Sequence, residues 1–208
     1  MKLFSIFLLF FTSFYKPESS SKTPLSEYSD AWNDERFLKC NTAADVDYLT
    51  DEEKEMIYVT NMMRLDPQLF GRTVAKQFPD KREIQYYKTL DEYKSLLKDL
   101  AKAKPLPLLY PDKRATESAK CHAISSGNKS YVGHVRQTEE CKKTRFFDAE
   151  CCDYGRYSPL DILMGQLVDE GVPGLGHRYA FLTPFNKVGV SIQPHKGYGR
   201  TAVFDFLF

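Results

Sequence analysis

The chain lacks a net charge of any consequence, with 29 Lys and Arg against 28 Asp and Glu in 208 residues. A nucleic-acid binder needs a basic face, so the balance argues against a nucleic-acid partner. It also gives no electrostatic drive toward an anionic membrane surface. Long apolar runs are missing too. The longest, Leu3 to Phe14, is about a dozen residues and too short to span a bilayer. No H-E-x-x-H, G-x-S-x-G or phosphate-binding glycine loop occurs, which removes the common local signatures of zinc peptidases, serine hydrolases and nucleotide enzymes. No C-x-x-C pair is present, so a thiolate zinc site has no support. There are no internal repeats.

What is present begins with Lys2, the apolar run to Phe14 and the polar segment Pro17–Lys22. This order predicts a signal peptide over residues 1–16 and hence a secreted protein with no other membrane segment. Residues 17–45 are polar and read as a loosely held N-terminal arm, and residues 46–208 are the right size for one domain. The 13 Tyr and 15 Phe argue against disorder over most of the chain. Secretion would put the five cysteines, Cys40, Cys121, Cys141, Cys151 and Cys152, in an oxidising compartment. Five is odd, so at most two bridges form. A bridge between neighbours is strained, so Cys151 and Cys152 should look to different partners, and Cys141 bonded to one of them is the first expectation.

Helical signals fill the first part of the chain. Thr50 and Glu53 form a capping box for a helix running to about Arg64, and Pro67 is placed to open a second, short helix. Leu90–Ala103 carries Tyr93, Leu96, Leu97 and Leu100 at helical spacing. Pro105 and Pro107 force an extended link. A further helix starts at Pro111 and ends near Gly127, with small residues Ala115, Ala119 and Ala123 that permit close packing. Ser158, Pro159 and Asp161 mark another helix start, with Gly171 as its stop. Late in the chain, "KVGVSI" and "TAVFDFLF" alternate as strands joined by a turn at Gly197–Arg200, and a third strand is expected over Arg145–Cys151. Helices first and a small antiparallel sheet late predict an α+β fold.

Four histidines offer chemistry: His122, His134, His177 and His195. His134 and His177 both follow glycines, which let backbone approach closely. Each has a bland alternative. His122 reads as a helix-packing residue, His195 as a turn residue, and Glu150 as an ordinary solvent-facing strand acid. Cys121 adjoins His122, but neighbours on a helix face different directions, so they make a weak nucleophile–base pair.

A resemblance adds to this. "TNMMRLDPQLF" is similar to a first-helix pattern N-x-x-R-x-x-P-x-x-F, "SAKCHAISSGNKSYVGHV" to a helix leading to a cavity histidine, and "DAECCDYG" to a G-E-N strand. "SPLDILMGQLVDEGVPGLGHRYAFLTPFNKVGVSI" resembles a helix, GHR turn and G-V-G strand, and "AVFDF" a last strand. Together, from about Tyr48 to Phe208, they resemble the CAP superfamily: the cysteine-rich secretory, antigen 5 and pathogenesis-related-1 proteins, in their compact single-domain form. The resemblance implies a three-layer α-β-α sandwich around a central antiparallel sheet. It also implies a cavity holding two histidines, here His134 and His177, and two acids, here Glu150 and Asp169, with Glu170 one residue from the latter. In some members the two histidines bind zinc or another divalent ion. Cys151 stands where relatives carry Asn, and Gln166 where they carry Trp.

Two functions follow as expectations. The first is a secreted binding module, expected to be a monomer, whose cavity takes a divalent metal such as Zn²⁺, a lipid-like ligand or an extracellular protein partner. The alternative is a metal-dependent hydrolase or peptidase in which His134 and His177 hold the ion and Glu150 acts as general base.

Overall fold

The computed structural model describes residues 22–208; the expected signal peptide over 1–16 lies outside the described residues. The first described segment is not a loose arm. Two 3-10 turns, Asp30–Asn33 and Glu35–Cys40, carry Trp32, Phe37 and Cys40 to full burial, with Leu25 and Ala43 alongside. Polar composition concealed this because the apolar residues are few and widely spaced. Each nonetheless lands in the core, and Trp32 also donates from Nε1 to Thr73 Oγ1 at 3.1 Å.

Helix α1, Asp51–Leu65, starts at the capping box: Glu53 N–H donates to Thr50 Oγ1 while Thr50 N–H donates to the Glu53 carboxylate. Pro67 opens α2, Pro67–Phe70, which continues through a π-turn, Gly71–Ala75, into α3, Lys76–Lys81. A 3-10 turn, Gln85–Thr89, leads to α4, Asp91–Lys102. The proline link then crosses to a two-residue strand β1, Tyr110–Pro111. Asp112 caps α5, Lys113–Lys129, which runs two residues past the expected stop and closes on Ser130 in the left-handed region. After α6, Glu139–Thr144, come β2, Ala149–Tyr154, and α7, Pro159–Val168. A 3-10 turn, Pro173–Leu175, and α8, Gly176–Leu182, precede the hairpin β3, Lys187–His195, and β4, Gly199–Leu207.

The result is an α+β protein with one four-stranded sheet in the order β1-β3-β4-β2. β2, β4 and β3 pair antiparallel, as expected, but the edge strand β1 is parallel to β3. The third strand begins at Ala149 rather than Arg145. Its register pairs Ala149 with Phe206, with Asp148 N–H donating to the Phe206 carbonyl at 2.8 Å, so only Leu207 of β4 lies beyond. Those upstream residues turn outward instead, with Arg114 and Arg145 stacked on Phe146 and Phe147.

Alternation along the strands divides the core. Cys151, Val188, Val190, Ala202, Phe204 and Phe206 join the large apolar cluster built with α1, α7 and α8. Cys152 and Val203 instead join Ala119 and Ala123 of α5. The small residues of α5 do permit close packing. A β-carbon added at Gly189 of β3 would sit 2.0 Å from the Ala115 carbonyl carbon.

The expected bridge from Cys141 to Cys151 or Cys152 does not form. Cys141 is bonded to Cys121, 20 residues away, with Cα atoms 5.4 Å apart. Cys40, Cys151 and Cys152 are free and buried. Cys151 and Cys152 do look to different surroundings, but as packed thiols on opposite faces of the sheet.

Candidate functional site

Glu150 lies on the face of β2 that turns toward α5, and its side chain is 2% exposed. A strand acid left alone there would pay a heavy desolvation cost. Three basic groups meet it instead. His134 Nδ1 lies 3.0 Å from Oε1, the Arg136 guanidinium sits on Oε2, and His122 Nε2 is 4.0 Å from Oε1. Burial pushes the Glu150 carboxyl up, but the His134 hydrogen bond and the Arg136 charge outweigh it and hold the group below the usual glutamate range. Arg136 also reaches Asp205 Oδ2 at 3.5 Å and Ser118 Oγ at 3.3 Å. Asp205 is held well above the usual range, first by burial and then by the charge of Glu150. One guanidinium therefore serves two buried carboxyls, one held below its usual range and the other above it.

The loop after α5 brings His134 and Arg136 to this point. Gly133 adopts φ +124°, a conformation only glycine takes readily. Its N–H donates to the Tyr154 hydroxyl at 2.9 Å, and its carbonyl lies 2.9 Å from His122 Nε2. A carbonyl can only accept, so His122 carries its proton on Nε2, and its buried Nδ1 has no partner. Burial lowers the pKa of His122.

The second histidine is held by the end of α7. That helix stops at Val168 because Asp169 itself takes the left-handed conformation, φ 59° and ψ 40°; Gly171 comes two residues later. The Asp169 carboxylate accepts from the backbone N–H of His177 at 2.9 Å and of Arg178 at 3.3 Å. His177 Nδ1 lies 2.7 Å from its other oxygen. His177 is not in a flexible loop but in the first turn of α8. In the turn before it Gly171, φ +72°, and Gly174, φ +77°, need a glycine's freedom; Gly176 is ordinary helix, with open space where a β-carbon would go. Arg178 anchors the turn. Fully buried, it donates to the carbonyls of Leu167, Val168 and Glu92, to Ser95 Oγ and to Asp99.

The structure brings all four expected residues together. The rings of His134 and His177 have centroids 6.1 Å apart at an interplanar angle of 40°. Each presents Nδ1 to a carboxylate, which fixes the proton there and leaves the Nε2 lone pair for a ligand. Beside His177 lies a cleft of about 220 Å³ lined by Asp169, Gln166, Asp153, Arg156 and Cys152. Glu170 hydrogen-bonds the Tyr86 hydroxyl at 3.2 Å, outside the paired arrangement. His195 anchors the β3–β4 turn by accepting at Nδ1 from Gly197 and Tyr198.

Two members of the site, Arg136 and Asp205, carry no functional expectation from sequence, and His122 reads there as a packing residue or a weak base for Cys121. Arg136 follows His134 by two residues, and Asp205 interrupts the apolar "AVF-F" alternation, which was the available signal. His122, Glu150 and Cys152 also offer ligand atoms within 4.8 Å of one another. Within this trio His122 Nε2 is committed to Gly133 and Glu150 to Arg136, while His122 Nδ1 has no partner. Cys121 is bridged and so offers no nucleophile to His122.

Searches against protein-family models, curated proteins and solved structures find no match to the chain. Fold and site define an α+β protein with two carboxylate-held histidines whose rings lie close together, His177 lining a cleft.

Proposed function

We propose that this is a secreted binding module of the CAP type, a three-layer α-β-α sandwich whose His134 and His177 together take a divalent cation such as Zn²⁺. The observation that carries the reading is the pairing of each imidazole Nδ1 with a buried carboxylate, Glu150 at 3.0 Å and Asp169 at 2.7 Å. Metal-binding histidines are oriented in this way. Zinc bonds imidazole nitrogen at about 2.0–2.1 Å, so two rings sharing one ion have centroids roughly 5–6 Å apart, close to the spacing found here.

With two protein ligands the ion would keep water or take a donor from a partner, which suits a binding module. The cleft beside it, about 220 Å³, is small for a lipid tail and suits a compact ligand or a partner's side chain. The hydrolase alternative is less favoured. It needs Glu150 as base, and that carboxylate is buried and already held by Arg136 and His134.

Calorimetric titration with ZnCl₂ should give one site per chain. His134→Ala with His177→Ala should abolish it, and binding by the double variant equal to wild type would rule out the site. Binding should also weaken in acid, because only neutral imidazoles ligate.

A further inference from the structure

The Cys121–Cys141 bridge has a role that the proposed metal site does not use. It ties α5 to α6, and every residue of the loop that delivers His134 and Arg136 lies between its two ends. Cys121 immediately precedes His122. Three of the groups around Glu150 thus sit inside one covalent ring.

The bridge also forms the wall of a cavity of about 460 Å³ on the outer side of α5, together with Lys120, Ile124, Lys129 and Glu140. Cys121 is partly exposed, whereas Cys141 is 2% exposed. Ser125 Oγ lies 3.6 Å from Cys141 Sγ and donates its own proton to the His122 carbonyl at 3.2 Å. Ile124 is an exposed apolar residue, and Lys120 and Lys129 are basic. An attacking thiol therefore has an open route to one sulfur, a departing sulfur with a hydroxyl beside it, and walls with two lysines against one glutamate.

We propose that Cys121 is a thiol-exchange site for small anionic thiols, and that opening its bridge releases the loop carrying His134. A thiolate, R–S⁻, attacks Cys121 Sγ along the S–S axis. The bond to Cys141 breaks, and a mixed disulfide R–S–S–Cys121 forms. Cys141 leaves as a thiolate and takes up a proton. A second R–SH then attacks the mixed disulfide, giving R–S–S–R and the Cys121 thiol. The bridge gains two electrons, and two thiols are oxidised to one disulfide. The loop then keeps its non-covalent anchors, among them the Gly133, His134 and Arg136 contacts described above and the Tyr131 carbonyl at His195 Nε2. The exchange chemistry stands on the bridge and its cavity; only its effect on metal affinity rests on the proposed function.

The test uses the full folded protein with reduced glutathione as the anionic thiol and mercaptoethanol as the neutral one, at matched thiolate concentration. Peptide mapping should find the mixed disulfide on Cys121. Glutathione should react faster than mercaptoethanol, and Lys120→Glu should remove that advantage. Amide exchange across residues 131–138 should rise about tenfold or more on reduction while β3 and β4 stay protected. A bridge that resists both thiols until the protein unfolds, or opens without changing exchange at 131–138, would overturn the proposal. If Cys121→Ser with Cys141→Ser folds, it should show the reduced protein's exchange pattern; if it does not, the reduced wild type carries the test alone. Zinc titration of the reduced protein then separates the two ideas. Exchange with no zinc binding in either state counts against the metal site only, and exchange with equal zinc affinity in both states counts against coupling to the loop.

Discussion

His122 shows at the residue scale how a site can be built from a group that looks like packing. Its ring is fully buried, Nε2 is committed to Gly133 and Nδ1 is unpartnered. Burial is the leading cause that lowers its pKa below the ordinary value of 6.5. The sign follows from linkage. The unfolded chain takes up the proton more readily than the folded one, so this group costs nothing above pH 6.5 and subtracts stability as pH falls below it. His122→Gln keeps an N–H for the Gly133 carbonyl and cannot titrate. Urea midpoints from pH 7 to pH 5 should therefore fall less steeply in the variant, and parallel curves would show that His122 does not carry the acid sensitivity. The bland sequence reading of His122 was sound as far as it went. Position on a small-residue helix signals packing, but nothing in one chain says which strand acid the packed ring will meet.

Elements were the most legible scale. Capping chemistry is local, so Thr50 with Glu53, Asp66 before Pro67, and Ser158 before Pro159 mark helix starts that the structure bears out. Alternation likewise located β3 and β4. What could not be read is what depends on a distant partner. β2 starts where β4 can pair with it. α7 ends at Val168, where Asp169 turns left-handed and its carboxylate meets His177, eight residues on. β1 is parallel because the proline link carries it to the edge of β3. The close contact of α5 and β3 supplies a check at this scale. Gly189→Ala would drive a methyl group into the Ala115 backbone, so the variant should lose about 2–3 kcal/mol or more by chemical denaturation. A loss below about 0.5 kcal/mol would mean that the helix can shift off the strand freely.

At the scale of the whole molecule, the segment before α1 belongs to the domain. It brings Leu25, Trp32, Phe37 and Cys40 into the same apolar cluster as Met56, Phe70 and Phe78. A chain beginning at Asp47 would leave that face of the molecule open to water. It is expected to lose the cooperative transition followed by far-ultraviolet circular dichroism. Trp32→Ala in the full chain should cost about 3–5 kcal/mol. A truncated chain that unfolds at the wild-type urea concentration would show that the domain starts later than the packing indicates. Composition put the boundary near residue 46 because averaging over a polar stretch hides the few residues that matter to a core.

The dipeptide Cys151–Cys152 has a practical use that follows from strand alternation. One thiol sits in the large cluster against α7 and α8, the other against α5 and His134, and neither is bridged. An alkylating reagent added to the native protein can reach each only when its own side opens. The two modifications fall in one short peptide, so a single mass spectrum times both openings. Adjacent positions in the chain thereby act as independent clocks for the two sides of the sheet.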